Sequence, residues 1–271
     1  MLKQRIVTGV ILAPLAIAGF VFLHGPWFAL FVGAIVTLGA WEWARLGGET
    51  TQKGRVIYAL AVALIMVGLY RDAWPVQYLL VPAVLWWLFA TVMIIRYPNG
   101  PGLWAGSLLC QLFGLLVLLP AWYGLVWLRE QPSGLLLILG VLLLVWIADI
   151  GAYFAGKNFG RNKLLPRVSP GKTREGLYGG IAFTQLATLG ALAYLGWGWV
   201  DIALGMVGAL FIVLLSVVGD LTESLFKRER GMKDSSNLLP GHGGVMDRID
   251  SLTAAIPVFA LCWLLVGSRL G

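Results

Sequence analysis

The chain has 271 residues, of which 59% are hydrophobic and only 12% are charged. Soluble globular domains carry about 25% charged residues, so this composition excludes a soluble enzyme. Disordered and disulfide-rich classes are excluded too, because polar residues are few and the chain has only two cysteines. The net charge is +7. In a membrane protein, the distribution of positive residues among the loops indicates the orientation of the chain, and we expect no nucleic-acid partner.

The sequence predicts an all-α, polytopic transmembrane helical bundle. A helix needs about 17–25 apolar residues to cross a bilayer. Nine segments qualify in chain order: Ile6–Leu23, Trp27–Leu46, Val56–Tyr70, Trp74–Ile95, Leu103–Trp127, Gly134–Ala155, Leu177–Gly196, Val200–Leu225 and Leu252–Val266. The third segment is short and the fifth contains Pro120, so an alternative with eight crossings and a re-entrant third or fifth segment stays open.

The positions of the cations predict the orientation of these segments. Lys3 and Arg5 precede the first segment, as in a signal peptide, but no small-residue cleavage site follows and we expect a retained helix. With the N-terminus inside, nine crossings leave only Arg71, Arg129 and Arg269 of the 20 Lys and Arg outside. The pattern is typical of a multi-pass protein of a bacterial-type inner membrane.

Two long cytoplasmic loops, residues 156–176 and 226–250, hold most of the polar chemistry. Their crowding on one face predicts that the cytoplasmic face is the working surface. We therefore divide the chain into an N-terminal transmembrane region, residues 1–133, and a C-terminal catalytic region, residues 134–271.

Two carboxylates stand at the cytoplasmic ends of apolar runs, Asp149 and Asp220. A carboxylate is costly inside a bilayer and usually faces a polar cavity or a partner. Asp220, Glu223 and Lys227 share one helical stripe at spacings of i, i+3 and i+7. The functional interpretation is a cation site, and the alternative is that both aspartates are hydrated at headgroup depth.

The second long loop ends in a glycine-rich turn before the last helix. Gly243 and Gly244 follow His242 and suit a turn that presents N–H groups to an anion. Asp247 then falls where a helix begins, either as a cap or as part of a site. Mg²⁺ prefers oxygen ligands, and Asp220 and Asp247 would meet if the last two helices pack side by side.

The first long loop contains the basic stretch 169–176, which holds Lys172 and Arg174. It is not a P-loop, because the position of the first required glycine is Pro166. Its two cations and the start of the following helix can bind phosphate, although a cluster that attracts anionic lipid would look the same. Elsewhere, Glu42 is expected to pair locally with Arg45.

Carboxylates that hold a metal and cations that hold phosphates are typical of phosphoryl or nucleotidyl transfer. A lipid phosphate is a natural second substrate. The stretch 224–250 closely resembles the signature of the phosphatidate cytidylyltransferases, also called CDP-diacylglycerol synthases. The resemblance extends to residues 219–224, 169–176 and 149–154.

This resemblance implies that CTP and phosphatidic acid give CDP-diacylglycerol and pyrophosphate at the cytoplasmic leaflet. It implies Asp220 and Asp247 as ligands of Mg²⁺, with K⁺ as a candidate neighbouring ion. Around the substrates it places Lys227, Arg228, Lys233, His242 and Arg248 as catalytic residues, and Lys172, Arg174, Ser224, Gly243 and Gly244 as nucleotide-binding residues. The expected partners are these substrates and membrane lipids, with a homodimer left open.

Two rival functions remain at this stage. A CTP-dependent polyprenol or dolichol kinase would use a similar membrane architecture, but it would release CDP and need a base for a lipid hydroxyl. A secondary transporter would also have many spans and intramembrane acids, but its site would lie near the bilayer midplane.

Overall fold

A computed structural model of the protein describes residues 2–99 and 107–270. The described part contains nine α-helices and one short β-hairpin, which confirms the all-α polytopic class. In chain order these are α1 Leu2–Phe22, α2 Gly25–Leu46, α3 Gln52–Asp72, α4 Gln77–Arg96, α5 Ser107–Arg129, α6 Gly134–Phe159, β1 Lys163–Leu165, β2 Ser169–Thr173, α7 Arg174–Tyr194, α8 Trp199–Glu229 and α9 Met246–Leu270.

Eight of the described helices, α2 to α9, are long and apolar enough to cross a membrane by length and composition. In α1 the apolar stretch Thr8–Phe22 is shorter. The third segment is longer than predicted, since α3 has 21 residues and begins after the cap Thr51. The described part of the fifth segment, α5, has 23 residues, while its predicted start at 103–106 lies outside the described residues. Neither helix needs a re-entrant path.

The two long connections are shorter than predicted, because helix ends take up part of each. Residues 156–176 form the end of α6, an antiparallel β1–β2 hairpin and the start of α7, rather than one loop. Thr173 caps α7, because its Oγ1 accepts a hydrogen bond from Gly176 N at 3.1 Å. In the second region, only residues 230–245 lie between α8 and α9.

Hydrogen bonds across the bundle show which connections share an end. Arg228 Nε of α8 donates to Val168 O in the hairpin turn at 3.3 Å. Arg45 Nη1 of α2 donates to Ser235 O at 3.3 Å. Both long connections therefore lie at one end of the bundle, as predicted. We call this the site end.

The opposite end is closed by a separate set of contacts. Arg129 Nε, at the end of α5, donates to Leu23 O at 3.2 Å. Tyr123 Oη of the same helix donates to Trp74 O at 2.6 Å. The α1–α2 and α3–α4 connections thus meet the end of α5 there.

Glycines allow α6 and α7 to approach closely, and this approach positions the hairpin. A Cβ on Gly179 would lie 2.2 Å from Ala155 Cβ, and one on Gly151 would lie 2.9 Å from Gly179 O. Small residues at helix interfaces permit such packing in membranes. The hairpin between the two helices is held against α8 by the contacts of Val168 with Arg228 and of Lys172 with Asp220.

Candidate active site

The first part of the site joins the hairpin to α8. Lys172 Nζ on β2 lies 2.7 Å from Asp220 Oδ2. Ser224, one turn further along α8, donates from its Oγ to Asp220 Oδ1 at 3.2 Å. Lys172 and Asp220 line a cavity of about 410 Å³ between α6, α7, α8 and the hairpin, together with Asp149 and the apolar side chain of Val217.

The second part lies at the start of α9, where Asp247 occupies the first turn. Lys227 Nζ of α8 lies 2.7 Å from Asp247 Oδ1. The other oxygen, Oδ2, accepts from Gly244 N at 2.7 Å, Ser235 N at 3.0 Å and Ser235 Oγ at 2.9 Å. Asp247 therefore pairs with a lysine and binds the segment before the helix, but among the described residues it accepts no hydrogen bond from an amide of α9 itself. These contacts favour the interpretation as part of a site over that of a simple cap.

Glu223 and Asp250 lie between these two parts. Glu223 is 1% exposed, and its Oε1 lies 3.6 Å from Lys227 Nζ. Its carboxyl lies close enough to that of Asp250 for the two to interact electrostatically. Neither Glu223 oxygen receives a hydrogen bond within the described residues. Asp250 also interacts electrostatically with Asp220.

Close packing of α8 on α9 creates this proximity. A Cβ on Gly219 would lie only 2.5 Å from Asp250 O. The glycine next to Asp220 thus lets the two backbones approach at the level of the carboxylates. The result is one polar network, whose acidic members are Asp149, Asp220, Glu223, Asp247 and Asp250 and whose basic members are Lys172 and Lys227.

The charges of this network fit a hard cation. Its carboxyl groups outnumber its lysines, and uncompensated carboxylates are costly where water is scarce. Each of Asp220 and Asp247 already holds an ammonium group at 2.7 Å, and the Glu223 oxygens lack donors. Within the described residues, no three His, Cys, Asp or Glu side chains are grouped so as to hold a metal by themselves. Mg²⁺ normally needs only one or two carboxylates when substrate phosphates and water complete its ligands.

The structure brings Asp220 and Asp247 into the same network but gives each a different lysine. The connection between them runs through Asp250, Glu223 and Lys227. That both aspartates bind one Mg²⁺ stays a prediction.

The remaining predicted cations lie at the site end with exposed side chains. Arg228, Lys233, Arg248 and Arg174 are all exposed. Arg228 also donates from Nη1 to Met232 O at 3.4 Å, in addition to its bond to the hairpin turn. Arg174 is the first residue of α7, and its backbone N donates to Asn162 O at 2.9 Å.

His242 and the two glycines form the turn that precedes α9. The His242 ring lies about 4 Å from the position of a Cβ on Gly9 of α1, and its Nδ1 is buried without a hydrogen-bond partner in the described residues. Gly243 has φ +80°, which favours glycine. Gly244 donates its N–H to Asp247, so in the structure this turn presents an amide to the protein's own carboxylate.

Sequence reasoning missed Glu42, a 0% exposed residue of α2. Its predicted pairing with Arg45 is wrong, because Glu42 instead accepts hydrogen bonds from the 235–246 segment, including Met246 N at 2.7 Å. The sequence did contain an indication. A carboxylate inside an apolar span normally has a partner. This argument singled out Asp149 and Asp220, and it applies equally to Glu42.

Fold and site together define a polytopic helical membrane protein with a carboxylate and lysine network at one end of its bundle. Residues 3–266 match the model of the cytidylyltransferase family. The chain belongs to this family, and it is therefore a nucleotidyltransferase.

Curated relatives agree over nearly the whole chain. A phosphatidate cytidylyltransferase of Pseudomonas aeruginosa is 57% identical over 264 residues, which cover 97% of this chain and 97% of the relative. The protein of the same name in Haemophilus influenzae is 42% identical, over 98% of this chain and 100% of the relative. That of Brucella suis is 34% identical, over 96% and 92%. The predicted family is thereby confirmed.

Proposed function

We propose that the chain transfers the cytidylyl group of CTP to phosphatidic acid and so forms CDP-diacylglycerol and pyrophosphate. The observation that carries this proposal is the pair of lysine–aspartate contacts in one network at the site end, in a chain that is 57% identical to a phosphatidate cytidylyltransferase. The network supplies groups of the kind that bind and orient two phosphate-bearing substrates.

The reaction needs little acid–base chemistry. A phosphate monoester has a second pKa of about 6, so phosphatidic acid is largely dianionic near neutral pH. One of its oxygens forms a bond to the α-phosphorus of CTP, and the bond from that phosphorus to the β-bridging oxygen breaks. The electron pair leaves with pyrophosphate. The main obstacle is the repulsion between two polyanions, which positive groups reduce.

Asp220 and Asp247 are the residues proposed to hold Mg²⁺, with K⁺ as a neighbouring ion. A bound Mg²⁺ would neutralise charge on the triphosphate and the leaving pyrophosphate. Lys172 and Lys227 lie against these carboxylates, and in this proposal their ammonium groups turn to phosphate oxygens when the substrates bind. Arg174, Arg228, Lys233, His242 and Arg248 supply further donors around the same end of the bundle.

The cavity beside Lys172 has both a polar and an apolar wall, which supports binding of a phospholipid. Asp149, Lys172 and Asp220 line one part of its wall, and Val213, Val217 and Leu177 line another. A phospholipid presents a phosphate next to acyl chains, so it matches such a wall. We place this end at the cytoplasmic face of a bacterial inner membrane because the predicted inside loops carry nearly all cations. A homodimer stays a prediction.

Product analysis with CTP labelled at the α-phosphate tests the proposal. The purified protein should transfer the label into a lipid only when phosphatidic acid and Mg²⁺ are both supplied, and unlabelled pyrophosphate should be released. Label that remains in CDP, with a polyprenol or dolichol as acceptor, would support the lipid kinase instead. Anion movement across liposomes with CTP left unchanged would support the transporter.

A further inference from the structure

We propose that Glu42 is a positioning residue for the reaction: it holds the 235–246 segment so that the Asp247 carboxylate is correctly placed. This inference rests on the proposed function, in which Asp247 binds the metal. Glu42 belongs to α2, in the N-terminal region to which the sequence analysis assigned no part of the site.

Each oxygen of Glu42 accepts two hydrogen bonds from the segment before α9. Oε1 accepts from Ser236 Oγ and from Val245 N, the latter at 3.0 Å. Oε2 accepts from Ser235 Oγ at 3.1 Å and from Met246 N at 2.7 Å. Three of these donors serve Glu42 alone, the Ser235 hydroxyl is shared with Asp247, and together with the positive end of α9 they stabilise a buried carboxylate. Glu42 therefore fastens both ends of the 235–246 segment to α2.

Ser235 connects Glu42 directly to Asp247. Its hydroxyl oxygen lies 3.1 Å from Glu42 Oε2 and 2.9 Å from Asp247 Oδ2. The hydroxyl has one proton, so it donates to one of the two carboxylates at a time. Ser235 N also donates to Asp247 Oδ2 at 3.0 Å. A displacement of Ser235 from Glu42 would therefore change the donors around Asp247.

Beside this connection, Gly244 leaves no room for a larger side chain. A Cβ on Gly244 would lie 2.0 Å from Ser235 Oγ and 2.5 Å from Glu42 Oε1. Glu42 is 0% exposed, so it acts through these neighbours and does not itself reach a substrate.

Glu42→Gln tests this role. The amide keeps the volume but replaces one acceptor oxygen with an NH₂ group, which then faces two donors. We expect kcat to fall at least tenfold, the Mg²⁺ concentration for half-maximal rate to rise several-fold, and KM for CTP to change less. In the metal-free and nucleotide-free protein, hydrogen–deuterium exchange across residues 234–247 should become faster. Glu130→Gln, an exposed residue at the opposite end, is the matched control and should change none of these.

Ser235→Ala is the second variant, because it removes the hydroxyl between the two carboxylates and leaves the Glu42 bonds to Val245 N and Met246 N. It should fold like the unmodified protein and still show the altered Mg²⁺ dependence.

The proposal would be overturned if the Glu42→Gln protein were less stable to heat but had unchanged kcat, unchanged Mg²⁺ dependence and unchanged exchange across 234–247. Glu42 would then only cap α9. Should that variant fail to fold, unchanged Mg²⁺ dependence in Ser235→Ala would overturn it. If the unmodified protein makes no CDP-lipid, the proposed function fails, but the exchange comparison still tests the hold of Glu42 on the segment.

Discussion

Asp220 and Asp247 each hold a lysine ammonium at 2.7 Å. Asparagine has nearly the same shape but no charge, so Asp220→Asn and Asp247→Asn remove the negative charge of a proposed metal ligand with little change in volume. We expect each variant to lower the rate of CDP-diacylglycerol formation by about 10²-fold or more, as for loss of a group that stabilises developing charge. Initial rates in mixed micelles, with thermal stability measured in parallel, check this.

Arg71→Gln is the control for these two variants. Arg71 is exposed near the end of α3, away from the site, so its loss should leave the rate unchanged. Arg129→Gln should also leave the chemistry unchanged, but it removes bonds to Leu23 O and Val21 O, so we expect lower stability. A rate near normal in either Asp variant would contradict the ligand assignment.

The structure leaves no space for a side chain at Gly244. Because a Cβ there would lie 2.0 Å from Ser235 Oγ, Gly244→Ala should displace the 235–246 segment and reduce activity by at least tenfold in protein that remains folded. Gly68→Ala is the matched control, since a Cβ at that position in α3 meets nothing within 4 Å. Equal activities of the two alanine variants, normalised to folded protein, would show that the segment tolerates the displacement.

At the scale of single elements, two threonine caps provide a matched comparison. Thr173 Oγ1 accepts from Gly176 N at the start of α7, and Thr51 Oγ1 accepts from Gly54 N at the start of α3. Loss of such a cap costs about 1 kcal/mol, so Thr173→Ala and Thr51→Ala should lower stability similarly. Only Thr173 adjoins Lys172, so only Thr173→Ala should also raise the KM for CTP or phosphatidic acid, by several-fold.

Steady-state kinetics and chemical denaturation of both threonine variants provide the check. Thr173→Ser keeps the hydroxyl and should restore the normal KM. A KM that rises equally in Thr51→Ala would mean that the effect comes from general loss of stability rather than from the position of the hairpin.

The helices could be predicted from the sequence because each apolar run is long relative to a bilayer. Their ends could not, since caps such as Thr51 and Thr173 are polar and lie outside the apolar runs. The β1–β2 hairpin was missed because its strands are short and β2 contains Pro170 and Gly171, and both residues disfavour a strand.

Whether a contact in the site could be predicted depended on how far apart its residues lie in the sequence. The stripe from Asp220 to Lys227 was predictable because helical spacing is local. The contacts Lys172–Asp220 and Glu42–Met246 join residues far apart in sequence, and no spacing rule encodes which helix packs against which. The signature resemblance supplied Lys172 in the site, but it did not reach Glu42.

At the scale of the whole molecule, the two ends of the bundle differ in charge. The site end includes the hairpin and the 230–245 connection, with their many lysines and arginines, whereas the opposite end carries Arg71, Arg129 and, near the end of α9, Arg269. The bias of Lys and Arg toward cytoplasmic loops sets the orientation of membrane proteins. If the proposed function holds, the same cations would attract CTP and anionic lipid toward the site, so orientation and substrate capture would have a common electrostatic origin.

Cysteine labelling in intact cells tests this orientation. A cysteine added in place of Asn162 or Asn237, both exposed at the site end, should react with a membrane-impermeant maleimide only after the inner membrane is opened. Cysteines at Asp72 and Glu130, exposed at the opposite end, should react in cells whose outer membrane alone is permeable. The unmodified protein measures the background from Cys110 and Cys262, of which Cys110 is buried. Labelling of positions 162 and 237 in cells with a closed inner membrane would place the site on the wrong side for cytosolic CTP and would refute the proposed topology.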